Sequence, residues 1–147
     1  MYLFINNLSN QGINLAIFNS PRNIKWRKAG FKKNHRENIL FELDKFLKIN
    51  KVKLKSSKGI IVVNGPGSFA GIRTALTLTN ILSAVLNIPA VGVNANKEMD
   101  SRRLLRKGIK TILKTKTIKS VQPFYGRDPN IYCKKLKISG DSAIRDF

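Results

Sequence analysis

The stretch Gly65-Pro66-Gly67-Ser68-Phe69-Ala70-Gly71 is the part of this chain best suited to chemistry. It follows an apolar run, Gly59 to Val63, and leads into a long apolar stretch from Ile72 to Leu86. Glycines so closely spaced admit positive φ and let a helix approach a strand closely, and Pro66 fixes one φ in the turn. Ser68 is placed to cap the exposed amides of the helix start. Such a start attracts anions, so phosphate binding is the first chemistry to consider. The known nucleotide patterns do not fit. A Walker loop requires Lys and then Ser or Thr after its last glycine, whereas Ile72-Arg73 follows Gly71. The dinucleotide pattern is Gly-x-Gly-x-x-Gly, and the spacing here is one residue longer. The turn therefore reads as a structural junction rather than a nucleotide cradle.

Other reactive side chains are sparse. His35 is the sole histidine and Cys133 the sole cysteine, so the sequence offers no metal-ligand cluster and no internal disulfide, as expected of a reducing cytosol. Ser68 and His35 could meet in space as a dyad, since triads are not legible from spacing. A single histidine near a helix start is more commonly a cap or interface residue, which argues against an independent hydrolase.

The elements that position the turn follow from periodicity. Met1 to Ile5, Ile13 to Phe18 and Ile24 to Lys28 read as three antiparallel strands, with Trp26 facing opposite to Lys25 and Arg27. His35 to Lys48 reads as a helix with Ile39, Leu40, Leu43, Phe46 and Leu47 on the sheet side and Phe41 well off it. Lys51 to Lys58 is a charged linker, and Gly59 to Val63 the central strand. The helix from Ile72 carries Ile72, Ala75, Leu76, Thr79, Leu82 and Leu86 on one face and Leu78, Ile81 and Val85 on a second. Arg73, Thr77 and Asn80 form its narrow polar strip. A helix on a sheet needs one apolar stripe, so the second face is covered either by the rest of the chain or by a partner. Ala90 to Val93 is a last strand. Three antiparallel strands followed by helix, strand, helix and strand predict an α/β domain of the ribonuclease H-like or actin-like class.

At 147 residues the chain supports one compact domain with a small extension. Residues 1–96 read as the α/β domain and 97–147 as a reduced basic segment. No apolar run reads as long enough to span a membrane, and the start of the chain does not read as a signal peptide. The net charge is +20, from 28 basic and 8 acidic residues, which suits a polyanion such as RNA. Richness in Lys, Asn and Ile, typical of AT-rich coding, is a second source of that charge. Met99 to Lys119 is one basic stretch, where Arg102, Arg103, Arg106, Lys107 and Lys110 accompany Leu104, Leu105, Ile109, Ile112 and Leu113 at helical spacing. Such a stretch serves as an RNA contact, a membrane-surface helix or a solvated helix face.

The run from Gly65 through Val93 resembles the signature of the TsaB family, also called YeaZ or glycoprotease-like (Gcp-like). That signature is a GPGSFTGxR turn, a helix and an IPxVGV-type strand. Gly65, Pro66, Gly67, Ser68, Phe69, Gly71 and Arg73 match it, with Ala70 in the usual Thr place. His35-Arg36-Glu37-Asn38-Ile39-Leu40 is similar to the family's His-Ser-Glu-x-Leu-Leu, and Pro123 to Arg127 to its Pro-x-Tyr-Leu-Arg ending. The resemblance implies an actin-like (ASKHA) domain that is not itself an enzyme and needs no cofactor or metal. It implies a cytoplasmic scaffold paired with a TsaD-like transferase, acting with a TsaE-like ATPase to make threonylcarbamoyladenosine in tRNA. The implied partner surface takes Phe41, Thr74, Leu78, Ile81 and Val85; for the isolated chain the sequence leaves a monomer and a homodimer through the same surface both open, and no membrane partner is expected. A stand-alone RNA-binding module on a degenerate actin-like fold is the alternative. Two departures stand out. Asn6-Asn7-Leu8-Ser9 replaces the family's Asp-Thr-Ser after the first strand, removing the acid that actin-like ATPases use to organise metal and phosphates. The family's C-terminal subdomain is also mostly missing.

Overall fold

The computed structural model describes residues 1–9, 12–30, 38–96 and 99–125. Its elements are β1 (Tyr2–Ser9), β2 (Gly12–Ser20), β3 (Asn23–Gly30), α1 (Ile39–Ile49), a single 3-10 turn (Leu54–Ser56), β4 (Gly59–Gly65), α2 (Phe69–Leu86), β5 (Ala90–Asn94) and α3 (Ser101–Ile112). The strands form one mixed sheet in the order β3-β2-β1-β4-β5. The first three pair antiparallel, and β4 lies parallel to both β1 and β5.

The central strands are covered on both faces, as parallel pairs require. Leu3 and Ile5 of β1 and Ile60 and Val62 of β4 are buried beneath α1 and α2 with Ile39, Leu43, Ile72 and Ala75. The alternate residues Phe4, Ile61 and Val63 are buried with Val91, Val93 and the α3 side chains Leu104, Leu105, Ile109 and Ile112. The basic segment after Asn96 is thus more than an extension: its helix supplies the third layer of the domain. Gly108 makes that approach possible, because a Cβ there would meet the Ile61 side chain. Leu113, expected on the apolar side of α3, is 57% exposed because it falls just beyond the helix end.

The helix starts are set by short polar caps. The Asn38 side chain accepts from the Leu40 amide (2.9 Å), so α1 begins at Ile39 rather than His35; residues 35–37 lie outside those described. Ser68 accepts from the Gly71 amide (3.3 Å), so α2 begins at Phe69 and its first turn is part of the glycine stretch. Asp100 does the same for α3 through the Arg103 amide (2.9 Å).

Two expectations, one of facing and one of length, are corrected. Leu40 is about half exposed, and Glu42 takes the buried place instead, paired at 2.8 Å with Arg27 of β3. The apolar α2 is, by length and composition, long enough to cross a membrane, contrary to the expectation from the sequence. Its Ile72, Ala75, Leu76, Thr79 and Leu82 are instead buried with the sheet, which makes it the core helix of this domain.

Candidate functional site

The glycine turn sits where β4 ends, against the end of β1. Gly65 has φ +125 and precedes a cis peptide bond to Pro66. A Cβ on Gly65 would land on the Phe124 carbonyl oxygen, one on Gly67 on Leu8, and one on Gly71 on the Asn7 carbonyl oxygen. The Ser68 amide donates to the Leu8 carbonyl (3.4 Å), and the Asn7 side-chain amide donates to the Gly71 carbonyl (3.2 Å). Phe69 packs its ring edge-on to Tyr125 at 4.9 Å. The close approaches that the glycines permit are therefore made by this chain's own backbone.

The segment Val121 to Tyr125 runs across the same region as a strap. Asn80 of α2 clamps it from both sides, donating to the Val121 carbonyl (3.1 Å) and accepting from the Val121 amide (2.8 Å). Asn64 of β4 donates to the Gln122 carbonyl (2.9 Å), and the Phe124 amide donates to the Asn64 carbonyl (2.8 Å). Asn80, read from periodicity as part of a polar strip, is thus a structural clamp. The end of β1 is tied down in a similar way. Asn6 donates to the Ser101 hydroxyl (2.9 Å) and accepts from the Leu8 amide (3.2 Å), tying β1 to the start of α3. Among the described residues, no group of three His, Cys, Asp or Glu side chains is arranged to hold a metal ion.

Beside the strap, α1 and α2 present apolar side chains to solvent. Phe41 is 57% exposed, Ile81 55% and Val85 74%. Leu78 is half-buried and packs against the core, so of the second α2 face Ile81 and Val85 are the open part. An open groove of about 440 Å³ runs between the two helices. Leu40, Leu78 and Ile81 line its apolar side, with Asn38, Arg73, Thr74 and Thr77 on its polar side. The Thr74 hydroxyl donates to the Ala70 carbonyl (2.9 Å), satisfying itself within the helix. The structure thus brings Thr74, Leu78 and Ile81 together around one groove, with exposed Phe41 and Val85 on the same two helices. Leu40 and Arg73 also line the groove; the identity of Arg73 as the last motif residue was the available signal, whereas Leu40 had been assigned to the sheet.

Comparison with known proteins extends this picture. Residues 28–99, from the end of β3 past β5, match the family described as TsaD: tRNA N6-adenosine threonylcarbamoyltransferase. No curated protein matches the chain by sequence. Among solved structures, YeaZ from Pseudomonas aeruginosa superposes with a TM-score of 0.56 at 20% identity, over 63% of this chain and 43% of that one. A protein described as uncharacterized, with similarity to peptidase YEAZ from Pseudomonas aeruginosa, gives 0.55 at 20% identity, over 63% and 42%. The fold is YeaZ-like. It is accordingly of the actin-like class, and the chain spans about two fifths of the length of these solved relatives.

On the opposite side of the YeaZ-like sheet, α3 turns its charged face outward. Arg103, Arg106, Lys107 and Lys110 are exposed. Arg102 lies at the border of that face, its guanidinium carbon 5.9 Å from the centre of the Trp26 ring. Trp26 in turn meets Phe4 edge-on at 5.7 Å. The structure therefore separates the candidate residues into two surfaces, one apolar over α1 and α2 and one basic over α3, with the glycine turn as the junction that fixes α2.

Proposed function

We propose that this chain is a non-catalytic, TsaB-type subunit that docks a TsaD-like protein through α1 and α2. The pair would serve tRNA N6-threonylcarbamoyladenosine synthesis in the cytoplasm, with tRNA as substrate of the complex and a TsaE-like ATPase joining through it. The observation that carries the reading is the groove lined by Leu40, Leu78 and Ile81 between two helices that also expose Phe41 and Val85. Exposed apolar side chains gathered on adjacent helices mark an interaction surface. Full burial of each is worth about 1.5–3 kcal/mol, and aromatic side chains such as Phe41 are enriched in interfaces. A non-catalytic role is supported by the end of β1, where Asn6 and Asn7 stand in place of an acid and bond within the chain.

The test is co-expression with the TsaD-like protein of the same genome, followed by size-exclusion chromatography with mass detection. A one-to-one complex is expected. Ile81→Asp with Val85→Asp should weaken it by about 100-fold or more, because two charges would have to be desolvated at the contact. These two positions are the sound choice, since Leu78 is packed on the core and a charge there would also disturb the fold. An unchanged complex would overturn the interface assignment. A stable homodimer that ignores the partner and is broken by the same substitutions would place a second copy on this face instead.

A further inference from the structure

The outward face of α3 is built for a polyanion, and we infer that it binds the phosphate backbone of a nucleic acid. Arg103, Arg106, Lys107 and Lys110 fall within about 100° of arc around the helix, opposite the buried side chains Leu104, Leu105, Gly108 and Ile109. They span about 10 Å along the helix axis, and exposed Lys114 continues the row beyond its end. The acid closest to them in the described chain is Asp100, whose carboxylate is occupied with the Arg103 amide. The salt bridges among the described residues, Arg27–Glu42 and Lys48–Asp44, lie on other elements. Among the described residues the row of cations therefore has no salt-bridge partner.

Two observations choose a nucleic acid over a lipid surface. An amphipathic helix binds a membrane by burying its apolar face between headgroups. The apolar face of α3 is already buried against Ile61, Val63, Val91 and Val93, so only the charged face is on offer. Arg102, moreover, is held over the Trp26 ring, which orders its guanidinium beside the row. A pre-positioned guanidinium suits the fixed oxygens of a phosphate. This site lies across the sheet from the α1/α2 surface, so it stands independently of partner docking.

The experiment is fluorescence anisotropy of a labelled, unmodified tRNA transcript titrated with the full chain. Arg103→Glu, Arg106→Glu, Lys107→Glu and Lys110→Glu together should lower the affinity by about 30-fold or more. They should also reduce the log–log salt slope by about 3, as expected on removal of three to four phosphate contacts. The control reverses the same number of charges elsewhere, at exposed Lys25, Lys45, Lys53 and Lys55, and should cost less than about 5-fold. The corresponding four glutamine substitutions, which neutralise without repelling, keep the test valid if the reversed variant fails to fold. Equal losses in both sets would show that net charge alone drives binding and would overturn the site. So would a wild-type chain that does not bind tRNA, or one that binds vesicles containing phosphatidylserine through α3 while ignoring tRNA. A single-stranded DNA of equal length distinguishes a general backbone site from one that needs the folded RNA.

Discussion

Gly71→Ala is expected to destabilise the protein by about 2–3 kcal/mol or more, although alanine is the better helix former by about 1 kcal/mol. Gly71 lies in the first turn of α2, where a Cβ would land on the Asn7 carbonyl oxygen near the end of β1. That oxygen belongs to β1, in the irregular stretch between its pairings with β2 at Asn6 and Ser9. The obstacle is therefore backbone, which cannot rotate aside like the end of a side chain. Either α2 lifts from the sheet or the Ser68 cap and the Asn7-to-Gly71 bond open. The neighbouring position is the control, because Ala70 is exposed. Ala70→Gly should cost only the propensity difference of about 1 kcal/mol. With a urea m-value of about 1–3 kcal/mol/M, Gly71→Ala should lower the unfolding midpoint by about 1 M or more. If Gly71→Ala proved stabilising, as propensity alone requires, the close junction between turn and β1 would be wrong.

That junction shows what sequence can and cannot convey. The strands β1 and β2 were legible as short apolar runs, and the two faces of α2 because period 3.6 is imposed by burial itself. Ile72, Ala75, Leu76, Thr79 and Leu82 are buried as their spacing predicts, and Ile81 and Val85 are exposed as the second face requires. The glycines announced a tight turn, but spacing could not tell what approaches them: the Phe124 carbonyl comes from 59 residues away in the chain. Asn80 was misread for the same reason. Its polarity suggested solvent, whereas it binds the distant Val121 backbone. On α3 the apolar positions were correctly grouped, yet sequence could not reveal that they close the second face of the sheet. That fact decides which surfaces of the helix are available for binding. The docking and RNA residues were read from motif likeness and charge; the structure places them on two separate surfaces, and the experiments above decide their roles.

The pair Arg27–Glu42 was the least legible feature and carries the second large effect. Periodicity put Leu40 against the sheet, but α1 is rotated so that Glu42 is 1% exposed and Leu40 faces the groove. Both Nε and Nη2 of Arg27 reach the same carboxylate oxygen at 2.8 Å. The two partners are not equivalent. The Arg27 side chain keeps 23% exposure and can turn toward water, whereas the Glu42 carboxylate cannot. Arg27→Met should therefore cost about 3–5 kcal/mol, the range for removing one partner of a buried ion pair. Glu42→Met should cost about 2 kcal/mol, because the remaining guanidinium retains access to solvent. The double variant should recover most of the loss, since an apolar pair can replace a buried ion pair at little cost. Urea unfolding of the four proteins provides the cycle, and additive losses would contradict a direct pairing. The pair also bears on docking, because it fastens to the sheet the helix that exposes Leu40 and Phe41. In the double variant the apolar side chain at 42 keeps the buried place, so Leu40 stays on the groove and partner affinity should be kept while stability recovers. A double variant that regained stability and lost affinity would show that the ion pair, and not packing by Ile39, Leu43 and Phe46, sets the helix.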